Sequence, residues 1–317
     1  MTSAIPESAQ VPAPVSVPVS VPVGRRPDAA LPRQDFFLPH RSLSVRHAAS
    51  PERPTAVFVH GLGGSSLNWT DLMGLLQPQL DEWAIDLGGF GMSPPPRDGD
   101  HSPAGHARSV VELIDHLEGA PVHLFGNSLG GSIALQVAAR RPDLVRSLTL
   151  ISPALPSTYL TKFNGHLPVI SLPFVGEKLV PSYMTKVEAR AKAQGTIDVC
   201  FADPTRASAS RFEESVEEVL AREHLPYQTD SFLSSLRGLM RTFLDPSGNR
   251  PWKLAERVTC PVLVIYGRKD PLVDSRAAHR ATKAFRNVHV MVLPDSGHVS
   301  QMEHPEIVAA AWERWLG

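Results

Sequence analysis

The chain has 317 residues, with 31 Lys and Arg against 32 Asp and Glu, a formal net charge of -1. That balance excludes the basic excess by which proteins hold nucleic acid or anionic lipid, and a hydrophobic content of 42% is ample for a buried core. The two cysteines, Cys200 and Cys260, belong to no Cys/His cluster with metal-ligand spacing, so they read as ordinary buried thiols and no metal site is expected.

Residues 1–34 read as a disordered extension. Their Val/Pro/Ser repeat, Val11 to Val23, favours a solvated polyproline-like chain, because proline lacks the donor that packed structure uses. The segment lacks a positively charged start, and prolines interrupt its valines, so it does not read as a signal peptide. No stretch approaches the roughly 20 apolar residues of a membrane span. A soluble, cytoplasmic protein without an integral membrane segment is expected.

From Thr55 the pattern changes. "TAVFVHGLGG" predicts a short strand and a glycine loop, "LNWTDLMGLLQ" a helix, and "WAIDLGGFGMS" a second strand ending in a loop. "HARSVVELIDHL" is an amphipathic helix, "VHLFG" a strand, "SIALQVAARRP" a helix and "VRSLTLIS" a strand. Short apolar strands alternating with helices imply a mostly parallel sheet covered on both faces, an α/β fold.

The alternation stops at Pro153. From there to about Arg250 only helical patterns recur: Phe212, Val216, Val219 and Leu220 share one expected face, and Phe232, Leu236, Leu239, Met240 and Phe243 another. Residues 153–250 therefore read as an inserted helical lid, with Pro/Gly-rich joints "SPALP" and "DPSGNRP". The alternation resumes with "CPVLVIYGRKD", a helix near Ala277 to Phe285, the strand "VHVMVLP" and a closing helix. One α/β core, 35–152 and 251–317, brackets the insertion.

Within "HLFGNSLGGSIAL", Gly126-Asn127-Ser128-Leu129-Gly130 matches G-x-S-x-G at a strand-to-helix seam. A tight turn there needs small neighbours, exposes the serine hydroxyl, and leaves a helix N-terminus facing any oxyanion that forms. Ser132 lies inside the helix without flanking glycines and is the weaker nucleophile. A hydroxyl needs an imidazole to take its proton and a carboxylate to orient that imidazole. Asp270 follows the strand "VLVIYG" and His298 follows "VHVMVLP", both at carboxyl ends of strands, where open α/β sheets bind ligands. Asp274 and Asp295 are alternative acids, with structural or solvated roles expected of them.

With these residues in order Ser128, Asp270, His298, the chain resembles the α/β-hydrolase fold family, in its serine-nucleophile, esterase/lipase-like branch. "HGLGG" resembles the family's oxyanion loop, "DLGGFGMS" the loop after the next strand, and "GRKDPLV" and "SGHVSQMEHP" the acid and histidine loops. The resemblance covers Thr55 onward except the lid. It implies a catalytic triad and an oxyanion hole formed by the backbone N–H groups of Leu62 and Leu129. After "SLTLIS", where some relatives carry the acid, this chain has Ser152 and Pro153.

The implied activity is hydrolysis of a carboxylic ester or thioester of a hydrophobic small molecule through an acyl-enzyme, with no cofactor. Trp69, Phe163, Phe174 and Tyr183 are candidates to line the acyl pocket. His60 beside the oxyanion loop is expected to brace it rather than act as base, and His101, His106, His116, His123, His289 and His304 are expected to be structural or surface residues. "GNSLGG" and "LNW" also resemble carbon-carbon bond hydrolases, although Val299 follows the histidine where those typically have tryptophan; cofactor-free haloperoxidases and perhydrolases share the triad. Ser128 stands where haloalkane dehalogenases and epoxide hydrolases have aspartate. Two other classes compete. "GLGGSS" with Asp86 ending the next strand resembles a dinucleotide fingerprint, but Ser66 replaces its third glycine. A noncatalytic binding protein on the same fold would leave the three triad candidates without a use.

Overall fold

The structure, a computed structural model, describes residues 24–157, 159, 161 and 165–317. Its strands are β1 (Gln34–Phe37), β2 (Ser42–Ala48), β3 (Thr55–Val59), β4 (Asp81–Ile85), β5 (Val122–Asn127), β6 (Val145–Ile151), β7 (Val262–Gly267) and β8 (Val288–Leu293). They form one sheet in the order β1-β2-β4-β3-β5-β6-β7-β8. Six strands run parallel, while β1 pairs with β2 and β2 with β4 antiparallel.

The central strands carry no polar face because helices cover both sides: β3, β5 and β7 are buried at every position. The helices of the core are α1 (Thr70–Leu76), α2 (Pro103–Leu117) and α3 (Leu129–Arg140). Between β6 and β7 follow α4 (Leu167–Ser171), α5 (Val175–Lys186), α6 (Ala189–Cys200), α7 (Ala209–Arg222), α8 (Gln228–Leu244) and α9 (Pro251–Ala255). The chain closes with α10 (Ala278–Ala284), α11 (Ser300–Glu303) and α12 (Pro305–Trp315). One core packs Ile133, Leu135 and Val137 of α3 against Leu124, Leu148 and Val264; the other packs Trp69, Phe58 and Phe125 with Trp312.

Three expectations change. β1 and β2 precede the first strand read from the sequence; β2 buries Leu43 and Val45 on one side and Ser44 and Arg46 on the other, so its apolar signal is halved. The extension expected through residue 34 ends earlier. Gly24 donates its N–H to Leu75 O at 2.9 Å, and Arg26 binds Glu306 at 2.5 and 2.7 Å. Residues 1–23, including the Val/Pro/Ser repeat, lie outside the described residues. On α7 the expected apolar face is incomplete: Leu220 is exposed while Glu218 is buried, because Arg46 and Arg33 meet its carboxylate at 3.5 and 3.8 Å.

Candidate active site

Ser128 stands between the end of β5 and the start of α3 with φ 55 and ψ −116, a left-handed conformation that a non-glycine residue adopts only under constraint. The constraint is close packing. A Cβ on Gly126 would lie 2.4 Å from the Gly130 carbonyl oxygen, and one on Gly130 would lie 2.1 Å from Val59 O. Larger residues at either place would push the turn open. Ser128 N–H is held by Ile151 O at 3.0 Å, and its carbonyl accepts from Ala154 N–H at 2.9 Å. Ser132, inside α3, spends its hydroxyl on Ala154 O.

The β7 and β8 loops deliver the other two residues. His298 Nδ1 and Asp270 Oδ2 are 2.8 Å apart, and both side chains are buried. Asp270 Oδ1 accepts the N–H groups of Leu272 and Val273 at 2.8 and 2.9 Å. Burial pushes the Asp270 carboxyl upward, but the His298 imidazole and these two N–H donors outweigh it and hold the group below its ordinary value. An ionised Asp270 accepts a hydrogen bond from Nδ1–H, which leaves Nε2 as the unprotonated ring nitrogen. Asp274 instead binds Arg276 at 2.6 Å, and Asp295 binds Lys269 at 2.9 Å.

Ser128 and His298 line one cavity of about 1110 Å³, together with Leu62 and Leu129. Its walls combine the loop residues Gly61–Ser65 and Phe90 with residues of α5 to α8, including Phe232, Leu236, Leu239, Met240 and Phe243, the face expected of α8. Of the expected pocket aromatics, Tyr183 lines this cavity. Trp69 does not: it is fully buried in the second core against Phe58. Phe174 does not either, being 88% exposed at the start of α5. Phe163 lies outside the described residues.

His60 is fully buried. Leu87 N–H donates to its Nε2 at 3.0 Å, so Nδ1 carries the proton and donates to Gly61 O at 2.7 Å. Burial lowers its pKa to about 4, which keeps it a neutral brace of the loop carrying Leu62. Asp86, the candidate ribose acid of a dinucleotide site, is buried and accepts Ser66 N–H at 2.7 Å and Met92 N–H at 3.0 Å. The carboxylate thus tethers two loops. His106 and His123 are buried structural residues, paired with Ser235 and Ser147.

Several residues that the sequence reading did not single out hold the histidine loop. Asn127 Nδ2 donates to Ile151 O at 3.0 Å and to His298 O at 3.1 Å, so the residue before Ser128 grips the backbone of His298. His298 N–H donates to Cys200 O at 2.6 Å. Glu303, fully buried, accepts Gly297 N–H at 2.7 Å and the N–H groups of Ala202 and Asp203 at 2.9 and 2.8 Å. Cys200 and Cys260 are free and half-buried rather than fully buried; burial raises the Cys200 thiol to about 12 and the Cys260 thiol to about 11.

Among the described residues no cluster of His, Cys, Asp or Glu has metal-binding geometry, and no helix is long and apolar enough to cross a membrane.

Comparison with known proteins agrees with this architecture. The sequence model of the alpha/beta hydrolase fold family matches residues 54–305. A relative from Pseudomonas savastanoi pv. phaseolicola, named "Putative carbamate hydrolase RutD", is 28% identical over 267 residues, spanning 84% of this chain and 93% of that protein. The fold matches a 2-hydroxy-6-oxo-6-phenylhexa-2,4-dienoate hydrolase from Rhodococcus sp. with TM-score 0.73 at 21% identity, over 90% of this chain and 98% of that one. It also matches a bacterial membrane phospholipase A with TM-score 0.72 at 23% identity, over 90% and 85%. The family pattern thus runs from before β3 to the first residue of α12, across the loops that carry Ser128, Asp270 and His298, and the chain belongs to the alpha/beta hydrolase fold family.

Proposed function

We propose that this hydrolase cleaves a carboxylic ester or thioester of a hydrophobic small molecule by way of an acyl-enzyme. The observation that carries the reading is one cavity walled by both Ser128 and His298, with His298 bonded at 2.8 Å to a buried Asp270. His298 Nε2 takes the proton of Ser128 Oγ as that oxygen attacks the substrate carbonyl carbon. The developing oxyanion receives the N–H groups of Leu62 and Leu129, neither of which donates to another described group. Collapse of the intermediate expels the alcohol or thiol, which takes the proton from Nε2. Water then yields a proton to Nε2 and attacks the acyl carbon; the acid departs and Ser128 recovers its hydrogen.

Residues 153–250 act as a lid in this scheme. Their apolar side chains exclude water from the charge that develops at the carbonyl and accept an apolar acyl or alcohol group. The free thiols Cys200 and Cys260 suit a cytoplasmic setting. The test is labelling by a fluorophosphonate probe together with hydrolysis of p-nitrophenyl esters of increasing acyl length. Ser128→Ala should abolish both, and Ser132→Ala should leave labelling largely intact. Labelling of Ser128→Ala at another residue, or turnover of a vinylogous diketone in place of every ester, overturns the proposal.

A further inference from the structure

Charged side chains on the cavity wall are paired with one exception among the described residues. Lys192 meets Glu223 at 3.0 Å, Glu218 faces Arg46 and Arg33, and Asp274 binds Arg276. Arg222, at the last position of α7, makes no ion pair. Its Nη1 donates to Gly63 O at 3.3 Å, and its buried Nε has no acceptor. Gly63 directly follows Leu62, so the guanidinium sits on the loop that carries one proposed oxyanion donor.

The surroundings are also overcharged. Beside the unpaired Arg222, three cations, Arg33, Arg46 and Lys192, take the two carboxylates Glu218 and Glu223, and Arg33 Nη1 and Arg46 Nε are buried without a hydrogen-bond acceptor. Glu218, one helical turn before Arg222, turns Oε2 to both Arg46 and Arg33, keeps Oε1 buried without a hydrogen-bond partner, and forms no ion pair with Arg222. Asp86 behind the loop is occupied by Ser66 and Met92 N–H groups. A half-buried guanidinium without a counter-charge favours an anion, and its planar fork matches a carboxylate.

We propose that Arg222 is a specificity-determining residue that binds a carboxylate borne by the substrate away from the scissile bond, so that the preferred substrates are half-esters of apolar dicarboxylic acids or similar amphiphilic anions. The inference rests on the proposed ester hydrolysis for its turnover test but not for its binding test. An apolar wall takes the chain of such a substrate, Arg222 takes its charged end, and Ser128 meets the carbonyl between.

The binding test uses Ser128→Ala protein, titrated calorimetrically with the monoethyl adipate anion and with ethyl hexanoate, in which a methyl group replaces the carboxylate. The anion should bind about tenfold or more tightly, as a charge-assisted pair predicts. Arg222→Gln in the same background should abolish the preference, and Arg222→Lys should keep part of it. In the Ser128 protein, the kcat/KM ratio for p-nitrophenyl hydrogen glutarate over p-nitrophenyl valerate, corrected for spontaneous hydrolysis, should fall about tenfold in Arg222→Gln. Equal binding of the two adipate-length probes, or a preference that survives Arg222→Gln, overturns the role of Arg222. Absence of Ser128-dependent hydrolysis with the binding preference intact overturns the esterase reading alone.

Discussion

Glu303 and Gly297 are joined by a 2.7 Å hydrogen bond from the Gly297 N–H to Oε2, immediately before His298. The other oxygen, Oε1, accepts from Ala202 and Asp203 just beyond α6. One buried carboxylate therefore fixes the histidine loop to the segment that follows α6.

Glu303→Ala would leave three N–H groups without their acceptor. Of these only Gly297 is buried, while Ala202 and Asp203 lie nearer solvent; a buried donor left unmade costs roughly 1–3 kcal/mol, so unfolding in urea should show a loss of about 1–3 kcal/mol, accompanied by a fall in kcat. Glu303→Gln should lose less, since the amide oxygen still serves one side. A Glu303→Ala protein as stable as the parent would show that the loop is held by other contacts.

The triad assignment separates two neighbouring acids. Asp270→Asn should lower kcat by about 10³- to 10⁴-fold, because an amide donating to Nδ1 fixes the wrong tautomer. Asp274→Asn should be nearly silent, since Asp274 pairs with Arg276 instead. Adding His298→Ala to Asp270→Asn should cost much less than the product of the single losses, as expected of groups acting as a unit. A reversed order, with Asp274→Asn crippling turnover, would move the acid to the other residue.

Arg211 ties three parts of the molecule together. It bonds Asp71 of α1 at 3.0 Å, Glu214 of its own helix at 2.7 Å, and Pro27 O of the N-terminal segment. Glu214 in turn accepts Ala30 N–H at 2.7 Å. Arg211→Ala should speed hydrogen exchange in α7 by about fivefold or more, equivalent to losing ~1 kcal/mol of local stability, without changing exchange in α3. Unchanged exchange in α7 would mean that its packing, not this junction, holds the helix down.

The sheet was legible from β3 onward because each strand is a short apolar run closed by glycine or proline, and Ser128, Asp270 and His298 each stand just after such a run. β1 and β2 were not, since β1 is mostly exposed and β2 buries Ser44 and Arg46 beside its two apolar residues. Trp69 was misplaced because an aromatic in a core and one in a pocket carry the same sequence signal. Glu218 and Glu303 were missed for a different reason: Glu218 meets Arg46 172 residues away, and Glu303, although Gly297 lies six residues before it, also joins Ala202 and Asp203 about 100 residues away, pairings that no local spacing encodes.

Glu82 supplies a prediction about stability and pH. It lies on β4, opposite Ala48 of β2 and Ala56 of β3, is fully buried, and neither carboxyl oxygen has a hydrogen-bond partner. Burial, reinforced by the neighbouring Asp81 charge, raises its pKa well above the ordinary glutamate value. The folded state thus retains a proton that the unfolded chain releases once the pH exceeds the ordinary value near 4.3. Stability from this group is fully present below that point and is lost as pH rises, at a slope of about 1.4 kcal/mol per pH unit until the folded-state carboxyl itself ionises. Glu82→Gln cannot ionise and escapes that loss. Urea unfolding of both proteins from pH 5 to pH 8 should show the variant gaining on the parent as pH rises, with the largest advantage at the alkaline end. Asp81, whose pKa is lowered, contributes the opposite dependence, but it is present in both proteins and largely cancels in the difference. A difference that stays flat across this range would show that Glu82 is ionised in the folded protein from pH 5 upward, with its charge met by a group that compensates its burial.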